Sequence, residues 1–181
     1  MVKELVTRTS LIIGIFSALR QYTVADHVIT TISFIGFSTP IFFFALLSIY
    51  IFSVNFKRWG LPSLPAVGMF DPQVGRTPGQ VALHMILPVL TIAFVSIAAY
   101  SRYIRSTMLE VLNQDYIRTA RAKGLRNRYI LFVHALKNAA LPIVTLIGLD
   151  LALLLGGALV TERIFAWPGM GPRLLAHIHR F

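Results

Sequence analysis

Between Val28 and Phe56 the chain runs for twenty-nine residues without a charged side chain. As a helix rising 1.5 Å per residue, that stretch reaches roughly 43 Å, against a bilayer hydrocarbon core of about 30 Å. It is long enough to cross a membrane with some tilt, and only a helix or a closed barrel satisfies its own backbone groups there. Pro40 sits near the middle of the run. The favoured reading is a single span kinked at Pro40, with Ser38 or Thr39 satisfying the freed backbone groups. A break into two shorter helices is the alternative. No polar linker surrounds Pro40, which favours the kink.

Composition supports a membrane chain. Hydrophobic residues make up 56% of the 181, charged residues only 13%, and mean hydropathy is +0.71. A soluble domain carries about 25% charged residues. The net charge of +10 would point a soluble protein towards nucleic acid. In a membrane protein the same excess is explained by Lys- and Arg-rich cytoplasmic loops. There is no cysteine, which excludes disulfides and thiolate metal sites. Near the start, the uncharged run Thr9–Leu19 is too short to span alone and lacks a clear cleavage site, so residues 5–19 read as a partial span rather than a signal peptide.

The rest of the chain divides by its charges and its glycines and prolines. Lys57 to Gly79 holds Gly60, Pro62, Pro65, Gly68, Pro72, Gly75 and Pro78, and reads as a loop. Residues 81–101 and 138–161 are two further spans. Between them, 102–137 carries eight of the seventeen basic residues against two acids, Glu110 and Asp115; loop 57–79 has three bases and one acid. The positive-inside rule therefore places 102–137 in the cytoplasm and 57–79 outside. The expected fold is an all-α membrane protein, a polytopic transmembrane helix bundle forming one domain over 1–181, with a helix-turn-helix loop on its cytoplasmic side.

The span 138–161 offers two features. Gly148, Ala152 and Gly156 recur every four residues and form a small-residue face on which another helix could pack. Asp150 points nearly away from that stripe. A carboxylate at mid-span faces a bundle interior or an aqueous path, so Asp150 is a candidate translocation-path residue. A hydrogen-bonded Asp at a helix contact explains it equally well.

The segment "DYIRTARAKGL", Asp115 to Leu125, is the least lipid-like part of the chain. Its bases Arg118, Arg121 and Lys123 alternate with Thr119, Ala120 and Ala122 and close on Gly124. Ile117, Ala120 and Gly124 share a shallow face, and the segment lacks the Leu, Phe or Trp stripe of a surface-lying helix. Small residues suit close approach by another protein, and arginines suit its carboxylates. Gly124 can supply the left-handed turn that ends a helix, with a second helix starting near Asn127. A solvated basic loop is the plainer reading. Nucleic-acid binding has no aromatic platform or zinc spacing behind it.

At this point the sequence resembles a family. "QDYIRTARAKGLRNRYILFVHALKNAALP", Gln114 to Pro142, is similar to the cytoplasmic signature loop of ABC-importer permeases, nearest to the dipeptide/oligopeptide and nickel branch. "GALVTERIFAWPGMG" and "GFSTPIFFFALL" resemble other parts of the same branch. The resemblance implies that Arg118, Thr119, Ala120, Arg121, Ala122, Lys123 and Gly124 form a coupling helix docking on a separate ATPase. Partners implied are ABC ATPase subunits, a second permease subunit and an extracytoplasmic substrate-binding protein, with membrane lipid around them. The location implied is the cytoplasmic (inner) membrane of a prokaryote, multi-pass. Two positions depart from the pattern. Arg118-Thr119-Ala120 stands where importers in general have Glu-Ala-Ala, and Asp150 where this branch would have Gln. Family members also carry a further N-terminal span and a final C-terminal helix, so the chain reads as an internal fragment.

The function expected is therefore that of a permease subunit translocating peptides or a related solute by alternating access. No G-x-x-x-x-G-K-[ST] loop is present in these residues, so ATP would be bound by a partner chain and no cofactor is expected here. An ion-coupled secondary transporter using Asp150 is one alternative. A truncated, non-transporting membrane interaction protein is another. No catalytic or metal site is expected; His177 and His179, two apart, do not share a helical face.

Overall fold

The computed structural model describes residues 2–157 and 159–169, without the side chains of 147 and 150–157. Every regular element among the described residues is helical. Helix α1 is Val2–Leu19, α2 is Val24–Ser38 and α3 is Ile41–Arg58. Helix α4 is Pro78–Leu112 and α5 is Asp115–Ala122. Helix α6 covers residues 127–157, and α7 is Leu159–Ile164. Among the described residues, three stretches are long and apolar enough to cross a bilayer: Ile41–Arg58, Pro78–Leu112 and Asn127–Leu146.

The uncharged run is two helices, not one kinked span. Pro40 lies in an extended conformation (φ −59°, ψ 138°), and α3 starts immediately after it. Proline disfavours the helical region for the residue before it and has no N–H to continue the ladder. Here the chain leaves the helix and restarts, with the Pro40 carbonyl accepting from the N–H groups of Phe43 and Phe44. Pro88 and Pro142 are accommodated inside α4 and α6. Two helices contain a wider, π-helical stretch, Tyr50–Asn55 in α3 and Ile130–Ala135 in α6.

Helix α4 also continues past the apolar residues that would end at Ser101, so Arg102 and Arg105 stand on the same helix as the span that precedes them.

The residues gather into two compact units. One comprises 1–38 and 96–150. Here α1 turns one face inward with Val6, Ser10, Gly14, Ser17 and Ala18. Ser10, Gly14 and Ala18 are spaced by four and so lie in a row along the helix. The row permits a very close approach to α4. A Cβ on Gly14 would fall 2.7 Å from Cβ and Cγ2 of Ile104 and 2.8 Å from the Ser101 carbonyl. Glycine is required there because the space of a methyl group is already taken by α4.

The other unit comprises 39–95 and 151–181. Its described core is Ala45, Leu87 and Phe165, flanked by Ile49, Phe52, Leu64 and Ile164. Ser48 and Thr91 hydroxyls are 3.2 Å apart, and Phe44 and Phe94 rings 4.9 Å. The loop after α3 is tied back by two backbone bonds, Leu64 N–H to Phe52 O and Gly68 N–H to Phe165 O.

Candidate functional site

Helix α5 is short, yet its local chemistry is complete at both ends. Asp115 lies in the first turn, where a carboxylate meets the positive end of the helix dipole. At the other end the chain passes through Lys123 (φ −74°, ψ 1°) into Gly124 at φ +75°. The Leu125 N–H then bonds the Ala120 carbonyl at 3.3 Å, and the Gly124 N–H bonds the Arg121 carbonyl at 2.9 Å. This pair of bonds is a Schellman closure, which needs the left-handed residue that glycine adopts without a Cβ penalty. Helix α6 restarts at Asn127.

Amphipathic spacing then sorts the docking candidates. Ile117 and Ala120, three apart, are buried, and α5 packs on the π-helical turn Ile130–Ala135, whose Ile130 and Ala135 are buried as well. The Tyr116 hydroxyl accepts from Asn138 Nδ2 at 3.1 Å. Arg118, Thr119, Arg121, Ala122, Lys123 and Gly124 are exposed. Ala120, grouped with them by the resemblance, instead faces the chain's own α6. Arg118 lies 3.5 Å from Asp115 in an exposed pair, a geometry worth little. Arg121 and Lys123 make no ion pair among the described residues. The result is a short basic helix, anchored on one side and open on the other.

The small-residue face expected on α6 is only partly described. Gly148 is exposed, and a Cβ there would meet nothing within 4 Å. Ala152, Gly156 and the side chain of Asp150 lie outside the described residues, as do His177 and His179. The close helix contact that the structure does show is at Gly14, through the same four-residue spacing on α1.

The strongest polar arrangement in the first unit involves Asp26 and Arg105, which were not singled out from the sequence. Arg105 donates through Nε to Asp26 Oδ1 and through Nη2 to Oδ2, both at 2.8 Å. This is a two-pronged guanidinium–carboxylate pair. Asp26 is buried at 1% exposure, while Arg105 keeps 24%. The same carboxylate accepts from the Ser17 hydroxyl, the Tyr22 N–H at 3.0 Å and the Thr30 hydroxyl at 3.3 Å. Thr23, just before α2, accepts the Asp26 N–H at 3.3 Å. Thr23 thus caps the first turn of α2, while the Asp26 carboxylate reaches back one residue further, to the Tyr22 N–H. That T-x-x-D spacing was a readable local signal; the partner 79 residues away was not.

The described residues thus combine three apolar stretches able to cross a membrane with a basic helix, closed by glycine, that rests on the helix that follows. Residues 10–180 match the family described as binding-protein-dependent transport system inner membrane component, and the chain belongs to it. It is 44% identical over 162 residues to a putative peptide permease protein of Brucella ovis, covering 90% of this chain and 49% of that protein. It is equally 44% identical over 162 residues to the oligopeptide transport system permease protein AppB of Bacillus subtilis (87% and 48%). Against the dipeptide transport system permease protein DppB of Escherichia coli, identity is 37% over 193 residues (96% and 56%). The chain thus spans about half the length of the relatives it matches.

Proposed function

We propose that this chain is the translocation-domain part of a permease subunit in an ATP-driven peptide importer, and that α5 is its docking element for a separate ATPase. The observation that carries the reading is the division of α5. Ile117 and Ala120 hold it to α6, and Arg118, Arg121 and Lys123 remain exposed. A helix fixed on one side can transmit a push, and a charged open face can pair with acidic side chains of another protein. By the positive-inside rule α5 lies in the cytoplasm, where an ATPase would meet it. ATP binding and hydrolysis would take place in that partner, whose closure moves α5 and reorients the spans. The peptide-permease names of the relatives support a peptide cargo. A second permease subunit completes the pathway, and an extracytoplasmic binding protein delivers the substrate.

The test is capture of the cognate ATPase by the full-length permease in detergent-solubilised membranes. Arg121→Glu combined with Gly124→Ala should reduce capture at least tenfold, because the first opposes the partner's acidic groups and the second distorts the helix end. Undiminished capture by that double variant would overturn the docking assignment. Labelled di- and tripeptide uptake in vesicles then tests the cargo separately, and its absence with an intact complex would refute the peptide reading.

A further inference from the structure

Arg105, whose guanidinium is paired with Asp26, lines a cleft between α2 and α4 with a volume of about 320 Å³. Arg102 lines the cleft as well. Two guanidinium groups and no carboxylate therefore line the cleft. The Nε and Nη2 of Arg105 are committed to Asp26. Arg102 has no such partner: among the described residues it makes no hydrogen bond or ion pair, and its guanidinium carbon sits 4.1 Å from the Phe37 ring centre and 5.2 Å from that of Phe34. Five N–H donors on a half-buried cation are thus left for something else. The Ser33 and Ser101 hydroxyls in the wall bond each other at 3.2 Å, and those of Ser17 and Thr30 serve Asp26. The net charge of the cleft is positive, and its free donor capacity belongs to Arg102.

The rings beside Arg102 narrow the choice of ligand. Phe34 and Phe37 are 48% and 51% exposed. A soluble anion would use the guanidinium and leave these rings unused. An amphiphile would use both, placing its anionic group on Arg102 and its hydrocarbon on the phenylalanines. By the orientation proposed above, Arg102 lies where the apolar stretch of α4 gives way to the cytoplasmic basic segment, the depth of lipid headgroups. Basic clefts between spanning helices on that side suit anionic headgroups, and the planar guanidinium fork suits a phosphate.

We propose that this cleft is a binding site for the phosphate headgroup of an anionic phospholipid, with Arg102 as its principal ligand and Phe34 and Phe37 receiving the acyl chain. Occupancy would brace α2 against α4 beside the Asp26–Arg105 pair. The orientation sets the expected leaflet, but the binding itself can be measured without it.

Native mass spectrometry of the full-length permease complex in non-ionic detergent provides the test. The complex is titrated with phosphatidylglycerol, with phosphatidylcholine of the same chains, and with glycerol phosphate. Phosphatidylglycerol should bind at least about tenfold more tightly than phosphatidylcholine, because the choline cation cancels the lipid's net charge and is repelled by the two arginines of the cleft. Arg102→Gln should abolish that preference. Should that variant fold poorly, Ser106→Glu keeps the test open, since Ser106 is an exposed residue lining the cleft and a carboxylate there should also repel the phosphate. Arg8→Gln, at an exposed pair far along α1, should leave the preference unchanged. Equal binding of the two lipids, or a preference that survives both cleft variants, overturns the proposal. Competition by glycerol phosphate as strong as that by intact lipid assigns the cleft to a soluble anion and overturns the lipid reading.

Discussion

The pairing of Asp26 with Arg105 can be tested as a unit. Removing one member of a buried ion pair leaves the other charge without compensation, at a cost of about 3–5 kcal/mol. Arg105 retains some access to water, so Arg105→Met and Asp26→Leu should each fall near the lower end, about 3 kcal/mol. For a domain of this size that corresponds to a loss of roughly 6–12 °C in unfolding midpoint. Arg105→Met leaves Asp26 with Ser17, Tyr22 and Thr30 as donors, which should make it the milder of the two. The double variant is the informative one. With both charges gone, the apolar side chains cover each other, and replacement of a buried pair by hydrophobic residues is often neutral. The double variant should therefore melt within about 3 °C of the parent, giving a coupling energy of at least about 2 kcal/mol. The measurement is thermal unfolding of the full-length permease in detergent, followed by intrinsic fluorescence at neutral pH. Additive single losses would show that the two residues are not energetically coupled, and single losses below about 2 °C would show that the pair contributes little. Either result would refute the reasoning.

Two further outcomes follow from glycines in different settings. Gly14→Ala should destabilise by about 1–3 kcal/mol, because its methyl group must displace Ile104 or shift α1 from α4; Gly148→Ala, which meets nothing within 4 Å, should be neutral or gain up to about 1 kcal/mol from helix propensity, and equal melting shifts for the two would contradict the packing described. Gly124→Ala forces a side chain into φ +75° and should cost about 1–2 kcal/mol, while Gly124→Asn should cost less; proteolysis rates at the α5–α6 turn would report the difference, and indistinguishable rates would remove the need for glycine there.

The parts of this molecule readable from sequence were those written in local pattern. The uncharged run declared a membrane chain, and Arg118 to Gly124 declared a basic helix ending on a left-handed residue, because capping and charge spacing act within one turn. Pro40 is ambiguous in sequence because a proline can bend a helix or end it. The outcome depends on whether the residue itself stays helical, and ψ 138° decides that only in three dimensions. Helical spacing sets Ala120 on one face with Ile117, and both are buried; only the family resemblance groups it with its exposed neighbours. The small-residue spacing is conspicuous at Gly148 because it lies in a long apolar run, whereas the same spacing at Ser10, Gly14 and Ala18 lies in a short one and gives a weaker signal. Asp26 and Arg105 were counted only as charges. Nothing local joins them, and long-range ion pairing has no periodic signature.

The separation of that pair along the chain also shapes how the protein is made. Asp26 emerges 79 residues before Arg105. At a synthesis rate of about 5–20 residues per second, the nascent α1–α2 hairpin waits roughly 4–16 s for its counter-charge. During that interval Ser17, Tyr22 and Thr30 are the carboxylate's available donors, all within nine residues of it. The hairpin can be held at the membrane boundary by bonds of its own until the helix bearing Arg105 leaves the ribosome and locks it in place.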